Sequence, residues 1–359
     1  MKIKKIGVPS IVMSNPNSKH CYFGWPTVAR LQNGKIAVVA SGFRLRHVCP
    51  FGKTVISYSE DEGQTYTAPA PIIDTVLDDR DGGILAYGER SVIVTSFNNT
   101  VEFQREEKSN QSYENAYLDT VTPEEEAKAL GVTFRISHDC GMTFGPIQKS
   151  PVTSPHGPTE LPDGSLLWVG RVFSPKNAKV NGVDCIQAHK IHEDGTMEYV
   201  GEIDNIVVDG EELLSCEPHA ILLKDGRILA HIRVQRAEKK GILTIYQSES
   251  ADLGKTWSKP RQILEETGGA PSHLFRHSSG ILICTYGHRK QPYGVRAMFS
   301  NDEGETWDTD YELFEGVSAD LGYPSTAELS DGSLLTVFYA KESQESPCII
   351  LQQQWRIEL

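Results

Sequence analysis

The residues that can move protons and hold anions gather at a few places along this 359-residue chain. Glu217-Pro-His219 opens one apolar run that closes on Arg233, and Asp79-Arg80-Asp81 stands before another. Trp25, His156, His273 and Tyr323 open similar runs, while Arg44 with Arg46 and His47, Arg171, and His288 with Arg289 close them. A guanidinium fork binds carboxylate or phosphate through two parallel hydrogen bonds, so arginine at four run ends calls for an anionic ligand. A lone histidine in a fold is more often structural than catalytic. Several arginines, carboxylates, histidines and a tyrosine converging from separate segments point to a site, because strand propensity explains none of them.

Such residues meet only if the segments that carry them share one rim. Each run contains an Asp-Gly or Asn-Gly pair between apolar stretches, at Asn33-Gly34, Asp163-Gly164, Asp225-Gly226 and Asp331-Gly332, with Gly280 alone in a fifth run and an eroded version around Gly88. This is the strongest short signal for a β-hairpin. The two strands are antiparallel, so the start of the first and the end of the second lie on the same edge. The prolines that open the runs, Pro155, Pro218, Pro271 and Pro324, are 63, 53 and 53 residues apart, and the 129 residues from Pro26 to Pro155 leave room for two units. Six units result.

A second pattern is interleaved with the first. It reads Ser59-x-Asp61-x-Gly63-x-Thr65-Tyr66, and recurs from Ser137 to Phe144, Ser250 to Trp257 and Ser300 to Trp307. In each copy the Asp can bond the turn backbone, the Gly supplies a positive φ, the Thr restarts a strand and the aromatic packs beneath. The pattern resembles the Asp box of the sialidase superfamily, in which these residues hold turns and do no chemistry. Six units of about four strands match an all-β, six-bladed β-propeller, a closed ring without long exposed edges. The hairpin forms the two inner strands of each blade, and the Asp box joins the two outer ones. Units three and six, near His192 to Thr196 and after Tyr339, lack the box and are expected to keep their strands. Ile3 to Met13 is expected to pair with Cys348 to Trp355 and close a single domain over 1–359. The segment 122–131 breaks the strand rhythm. Thr122, Pro123 and Glu124 to Glu126 begin a short helix that Gly131 ends, in an insertion.

At residue level the resemblance covers part of the sialidase set. The stretch Glu217 to Arg233 is similar to the segment in which a Glu activates a tyrosine nucleophile and an Arg binds the sugar carboxylate, and Tyr323 matches the nucleophile segment of the last blade. Arg289 or Arg296 would correspond to a third carboxylate-binding Arg. A phenol deprotonated by a neighbouring Glu attacks an anionic substrate without the repulsion a carboxylate would meet. The departures are equally specific. Sialidases open with Phe-Arg-Ile-Pro, and this chain has Phe23-Gly24-Trp25-Pro26. No carboxylate lies in Arg46 to Lys53, where the family places its acid, and Ala340 replaces the Glu that usually ends the tyrosine segment. Asp79, Asp81 or His47, whose ordinary pKa is about 6.5, are the substitutes for the acid. Arg44, Arg46 or Arg80 are the substitutes for the first arginine.

The resemblance implies an exo-acting glycoside hydrolase on a terminal acidic sugar of a glycan, and the rim positions of Trp25, His156, Arg171, His219 and His273 put them among the expected substrate contacts. Two other readings are compatible with the residues. One is a lyase on uronate-containing oligosaccharide, with Arg neutralising the carboxylate and Tyr or His taking the α-proton; the other is a non-catalytic glycan-binding propeller. A formal net charge of −13 argues against nucleic acid and anionic membrane as partners. Seven cysteines without a CxxC pair suggest neither a disulfide framework nor a zinc site, and no metal or cofactor motif is present. The N-terminal apolar stretch is short and contains Pro9, so a cytoplasmic protein is expected, and a homo-oligomer is compatible with the chain.

Overall fold

A computed structural model describes residues 1–174, 185–236, 243–265, 269 and 271–358. It is a six-bladed β-propeller. Blade one consists of Tyr22–Arg30, Ile36–Arg44, Lys53–Ser59 and Ala70–Ile73, and blade two of Arg80–Tyr87, Ser91–Phe97, Val132–Ser137 and Gln148–Ser150, each hydrogen-bonded in that order. In blade three the inner strand is split into Val152–Thr153 and Thr159–Glu160, both paired with Leu166–Val172, and Ile186–Ile191 and Met197–Ile203 complete it. Blades four and five run Leu214–Leu222 to Arg261–Gln262 and Ser272–Arg276 to Asp308–Glu315. Blade six takes Gly322–Glu328, Leu334–Lys341 and Cys348–Glu358, and is closed by Lys2–Met13 as its outermost strand. The closure expected from the sequence is observed, with Ile11 opposite Leu351.

All four Asp boxes form the expected staple at the outer turn. In the second, Asp139 accepts from the Thr143 amide at 2.8 Å and from its hydroxyl at 2.6 Å, while Ser137 accepts from the Gly141 amide at 2.9 Å. The box aromatics do more than close their own turn. Tyr66, Phe144, Trp257 and Trp307 pack into the apolar clusters between their own blade and the preceding one. The third strand of that preceding blade answers with a side chain on the box glycine: Tyr58 donates to the Gly141 carbonyl at 2.6 Å and Gln247 to that of Gly304 at 2.9 Å. Six such clusters, one per blade interface, make up the core. Blade three lacks a box, as expected, and turns tightly at His192–Thr196.

The insertion is larger than the sequence suggests. The expected helix spans Pro123–Ala129 with a capping box between Thr122 and Glu125, and Val101–Arg105 and Ser112–Thr120 precede it. The first is too short for its periodicity to register, and the second has no apolar stripe, so neither stood out. No helix among the described residues is long and apolar enough to cross a membrane. None of the seven cysteines is in a disulfide, and Cys49, Cys216, Cys284 and Cys348 are buried.

One backbone device recurs in the innermost strands. The pairing of first and second strand slips between Gly24 and Thr27, Arg80 and Gly83, Cys216 and His219, and Gly322 and Ser325. Inside each slip one residue is left-handed: Trp25 (φ 54), Asp81 (φ 49), Glu217 (φ 50) and Tyr323 (φ 48). A bulge of this kind re-aims the side chain, and a non-glycine residue in this region costs about 1–3 kcal/mol. The same cost is met in four blades, and each time it turns a large or ionisable side chain toward the mouth.

Candidate active site

Those four side chains share one cavity of about 710 Å³ at the mouth, where Arg80, Arg171, Arg233 and Arg289 join them. Its centre is a hydrogen-bonded cluster. Tyr323 Oη donates to Glu217 Oε1 at 2.6 Å, and Arg233 donates to Glu217 Oε2 at 2.7 Å and lies 3.4 Å from Tyr323 Oη. Gln235, two residues along the same strand, accepts from Arg233 at 2.7 Å and 3.2 Å. Arg289 is tied to the Leu321 carbonyl at 3.0 Å and to Tyr339 Oη at 3.1 Å, with its guanidinium carbon 5.7 Å from the Tyr323 ring centre.

Burial alone would raise the Glu217 pKa, but Arg233, the Tyr323 hydroxyl and Arg289 overcome it and hold the carboxyl below its ordinary range. Burial, with the Glu217 and Asp81 charges, pushes Tyr323 well up. The pair is therefore carboxylate and neutral phenol, with the phenol proton already directed at its acceptor. Asp81 is different. Burial drives its pKa from 3.8 to about 7, against the pull of Arg80 and with help from Glu217, and its buried Oδ1 has no hydrogen-bond partner. Among the described residues of the cavity, it is the carboxyl poised to be protonated near neutrality.

Trp25 stands where sialidases have their first conserved segment, and cations approach its ring. The Arg80 guanidinium lies 4.5 Å from the ring centre and that of Arg44 4.9 Å, while His47 meets it edge-on at 4.9 Å and 88°. Arg80 donates to the His47 carbonyl at 2.9 Å and lies 3.2 Å from His47 Nε2. Arginine only donates, so this nitrogen carries the lone pair and the imidazole is neutral on that side. His47 thus lines the cavity as a holder of Arg80, and its Nε2 has no proton to give.

The remaining sequence candidates do not face the cavity. Arg44 is fully buried and bonds Asp78 at 2.9 Å and Ser41 at 2.7 Å, so its charge is spent within blade one and the following loop. Arg46 makes a bidentate pair with Glu114, at 2.6 Å and 2.5 Å, and fastens the helical insertion. Asp79 has its pKa raised to about 7 by burial, yet its carboxylate accepts from the Thr75 amide at 2.6 Å and from Asn98 at 3.2 Å, away from the mouth. Arg296 pairs with Asp310 at 3.1 Å on the third strand of blade five, which leaves Arg289 as the arginine of that blade in the cavity. His156, His219 and His273 lie beneath the site, on the propeller axis, in a separate cavity. His219 follows the bulge residue Glu217 by two positions, and all three side chains line that separate cavity instead of the mouth.

Several lining residues were missed. Phe97 ends the second strand of blade two, the rule that selected the arginines, but an apolar residue drew no notice there. Gln235 follows Arg233 by two and so shares its face of the strand. Asn99, 3% exposed with its Oδ1 unpartnered, and Phe103 come from the insertion, which no blade-level reading places over the mouth.

A ring of six blades, stapled by Asp boxes and carrying a tyrosine, glutamate and arginine cluster at its mouth, defines a propeller of the sialidase type. The profile of the BNR repeat-like domain matches residues 116–336, more than half of the chain, and the chain belongs to that family. Among solved structures, a protein of unknown function from Dyadobacter fermentans DSM 18053 shares 19% identity over 99% of both chains, with a TM-score of 0.78. The leech intramolecular trans-sialidase complexed with 2,7-anhydro-Neu5Ac is 13% identical over 93% of this chain and 68% of its own, at 0.62. The intramolecular trans-sialidase from Ruminococcus gnavus, in complex with oseltamivir carboxylate, is 13% identical over 97% of both, at 0.62. These likenesses speak for the fold. No curated protein matches the chain.

Proposed function

We propose that the protein is an exo-acting glycoside hydrolase that removes a terminal acidic sugar from a glycan, with Tyr323 as nucleophile, Glu217 as its base and Asp81 as acid and base. The observation that carries this reading is the 2.6 Å bond from Tyr323 to a Glu217 held ionised by Arg233. A tyrosine nucleophile is needed only where the substrate itself is anionic, and Arg80, Arg233 and Arg289 bring three cations to the same cavity from blades two, four and five. The cavity of about 710 Å³ falls in the range of small-ligand pockets, about 300–1,000 Å³.

In the first step Tyr323 oxygen bonds to the anomeric carbon as the glycosidic carbon–oxygen bond breaks. Glu217 takes the phenol proton and Asp81 gives its proton to the departing oxygen. In the second, the Asp81 carboxylate takes a proton from water, the water oxygen replaces tyrosine on the sugar, and Glu217 returns the proton to the phenolate. Both steps balance without a cofactor. Positive charge develops on the ring in each transition state, and Glu217 and the substrate carboxylate stabilise it, while the arginines bind that carboxylate in ground and transition states alike.

The test is a screen of natural and fluorogenic glycosides of sialic, ketodeoxy and uronic acids, with products read by NMR. Hydrolysis of one class is expected, with Glu217→Gln reducing turnover by about 10²–10⁴-fold and Tyr323→Phe at least as much. An unsaturated product, or full turnover by both variants, would overturn the proposal.

A further inference from the structure

Beneath the mouth, on the axis, the inner strands enclose a second cavity of about 360 Å³, and at its inner end three histidines meet. His219 and His273 are stacked with ring centres 4.7 Å apart, and His156 stands nearly perpendicular to both at 5.5 Å and 5.0 Å. They come from blades four, five and three, and all are at least nine-tenths buried. Three converging imidazoles ordinarily suggest a metal. The hydrogen bonds at their Nδ1 atoms say otherwise.

His219 Nδ1 accepts from the Leu274 amide at 2.9 Å and His273 Nδ1 accepts from the Thr326 amide at 3.3 Å. An amide can only donate, so both rings carry their proton on Nε2. His156 is the reverse. Its Nδ1 lies 3.0 Å from Thr27 Oγ1, which also lies 3.2 Å from the Pro155 carbonyl; with the hydroxyl proton assigned to that carbonyl, Nδ1 is the donor and Nε2 holds a lone pair. That Nε2 is buried and has no partner. The cluster therefore presents two N–H donors and one acceptor, and a cation needing three lone pairs finds one.

The charged residues described at the rim of the cavity all have partners. Arg30 is paired with Glu62 at 2.7 Å and 2.9 Å, Arg276 with Glu303 at 2.9 Å and 2.5 Å, and Glu328 accepts from Ser278. The shaft between rim and histidines is lined by Val28, Ile84, Ala220, Leu274 and Ala327 among others. An atom that accepts two hydrogen bonds and donates one is a hydroxyl oxygen. We propose that the three axial histidines form a binding site for a neutral hydroxyl oxygen, supplied by an ordered water or by a small polyol entering from the face opposite the mouth. A buried nitrogen without a partner is costly, and a bound oxygen removes that cost.

The site is independent of the reaction at the mouth, and its test needs no substrate. Crystals grown without polyol should show, at atomic resolution, one oxygen within about 3 Å of the three Nε2 atoms. A glycerol soak then separates the sources: replacement of that oxygen by glycerol identifies an open polyol site, and its persistence identifies a resident water. Imidazole 15N shifts of the labelled protein should give the Nδ1–H form for His156 and the Nε2–H form for His219 and His273. His156→Phe should lose the oxygen while keeping the ring of blades, and His156→Asn, which restores an acceptor, should regain it. An empty cluster in the parent protein, an anomalous metal signal there, or a different set of tautomers would overturn the proposal.

Discussion

Replacing Asp81 by Asn should make the protein more stable and less active, and the gain in stability should depend on pH. Burial raises the Asp81 pKa from 3.8 to about 7 in the folded protein. A raised folded pKa means that the contribution of this carboxyl is fully present below about pH 4 and is lost as pH rises through 7, because ionisation then costs more in the folded chain than in the unfolded one. The whole shift of about 3 units corresponds to roughly 4 kcal/mol at 1.36 kcal/mol per unit. Between pH 5 and 8 the folded group passes through the upper two units, so the advantage of Asn over Asp should grow by about 3 kcal/mol. Asn matches the shape of the protonated acid and never ionises. Asp79 titrates in the same window, but it does so in both proteins and drops out of the difference. Urea unfolding of the two proteins at pH 5 and pH 8 measures this directly. A difference that is the same at both pH values, or that favours Asp at pH 8, would refute the assignment of a strained, protonatable carboxyl in the mouth. On an identified substrate the parent rate should fall about tenfold per unit above pH 7, and Asp81→Asn should lose about 10²–10⁴-fold.

Asp302→Ala removes the staple of the fifth blade, where the carboxylate accepts from the Thr306 amide at 3.0 Å, and should lower the melting temperature while leaving kcat/KM unchanged. Since the turn bonds hold the Asp61 pKa down to about 2 and those of Asp252 likewise, stability carried by the boxes should fade as pH drops below 4, and the Asp302→Ala deficit should shrink in acid melts. Arg46→Ala leaves Glu114 buried without its partner and should open the insertion, read as faster limited proteolysis within residues 101–131 with the blades uncut.

Much of the ring was legible in the chain because its signals are local. Asp-Gly turns and Asp boxes each specify their own four or eight residues, and repetition multiplies a weak signal into a register. The cluster at the mouth was legible for the same reason: Glu217, Arg233 and Tyr323 sit at fixed places relative to those turns, and the bulges that aim Trp25, Asp81, Glu217 and Tyr323 share the position just before a proline or glycine. What failed was any inference about where a charge is spent. Arg44 and Arg46 end a strand at the mouth, yet Asp78 and Glu114, from segments 34 and 68 residues away, claim them. His219 lies two residues past the Glu217 bulge, while His156 and His273 stand in blades three and five, which have no such bulge, and all three line the lower cavity instead of the mouth. The rim rule located strand ends correctly, but it did not say which face each side chain takes once a bulge has shifted the alternation. The insertion escaped altogether, since its contribution to the cavity, Asn99 and Phe103, depends on tertiary contacts of short helices.

In the proposed reaction the Tyr323 oxygen is the atom that bonds to the sugar. A fluorinated sugar-acid inactivator, chosen from whichever class the screen identifies, slows the second step and should leave the sugar on the enzyme. Digestion and mass spectrometry should then find the added mass on the peptide carrying Tyr323, and none in the Glu217→Gln variant. Label on Asp81 or Glu217, or turnover with no covalent intermediate, would contradict it.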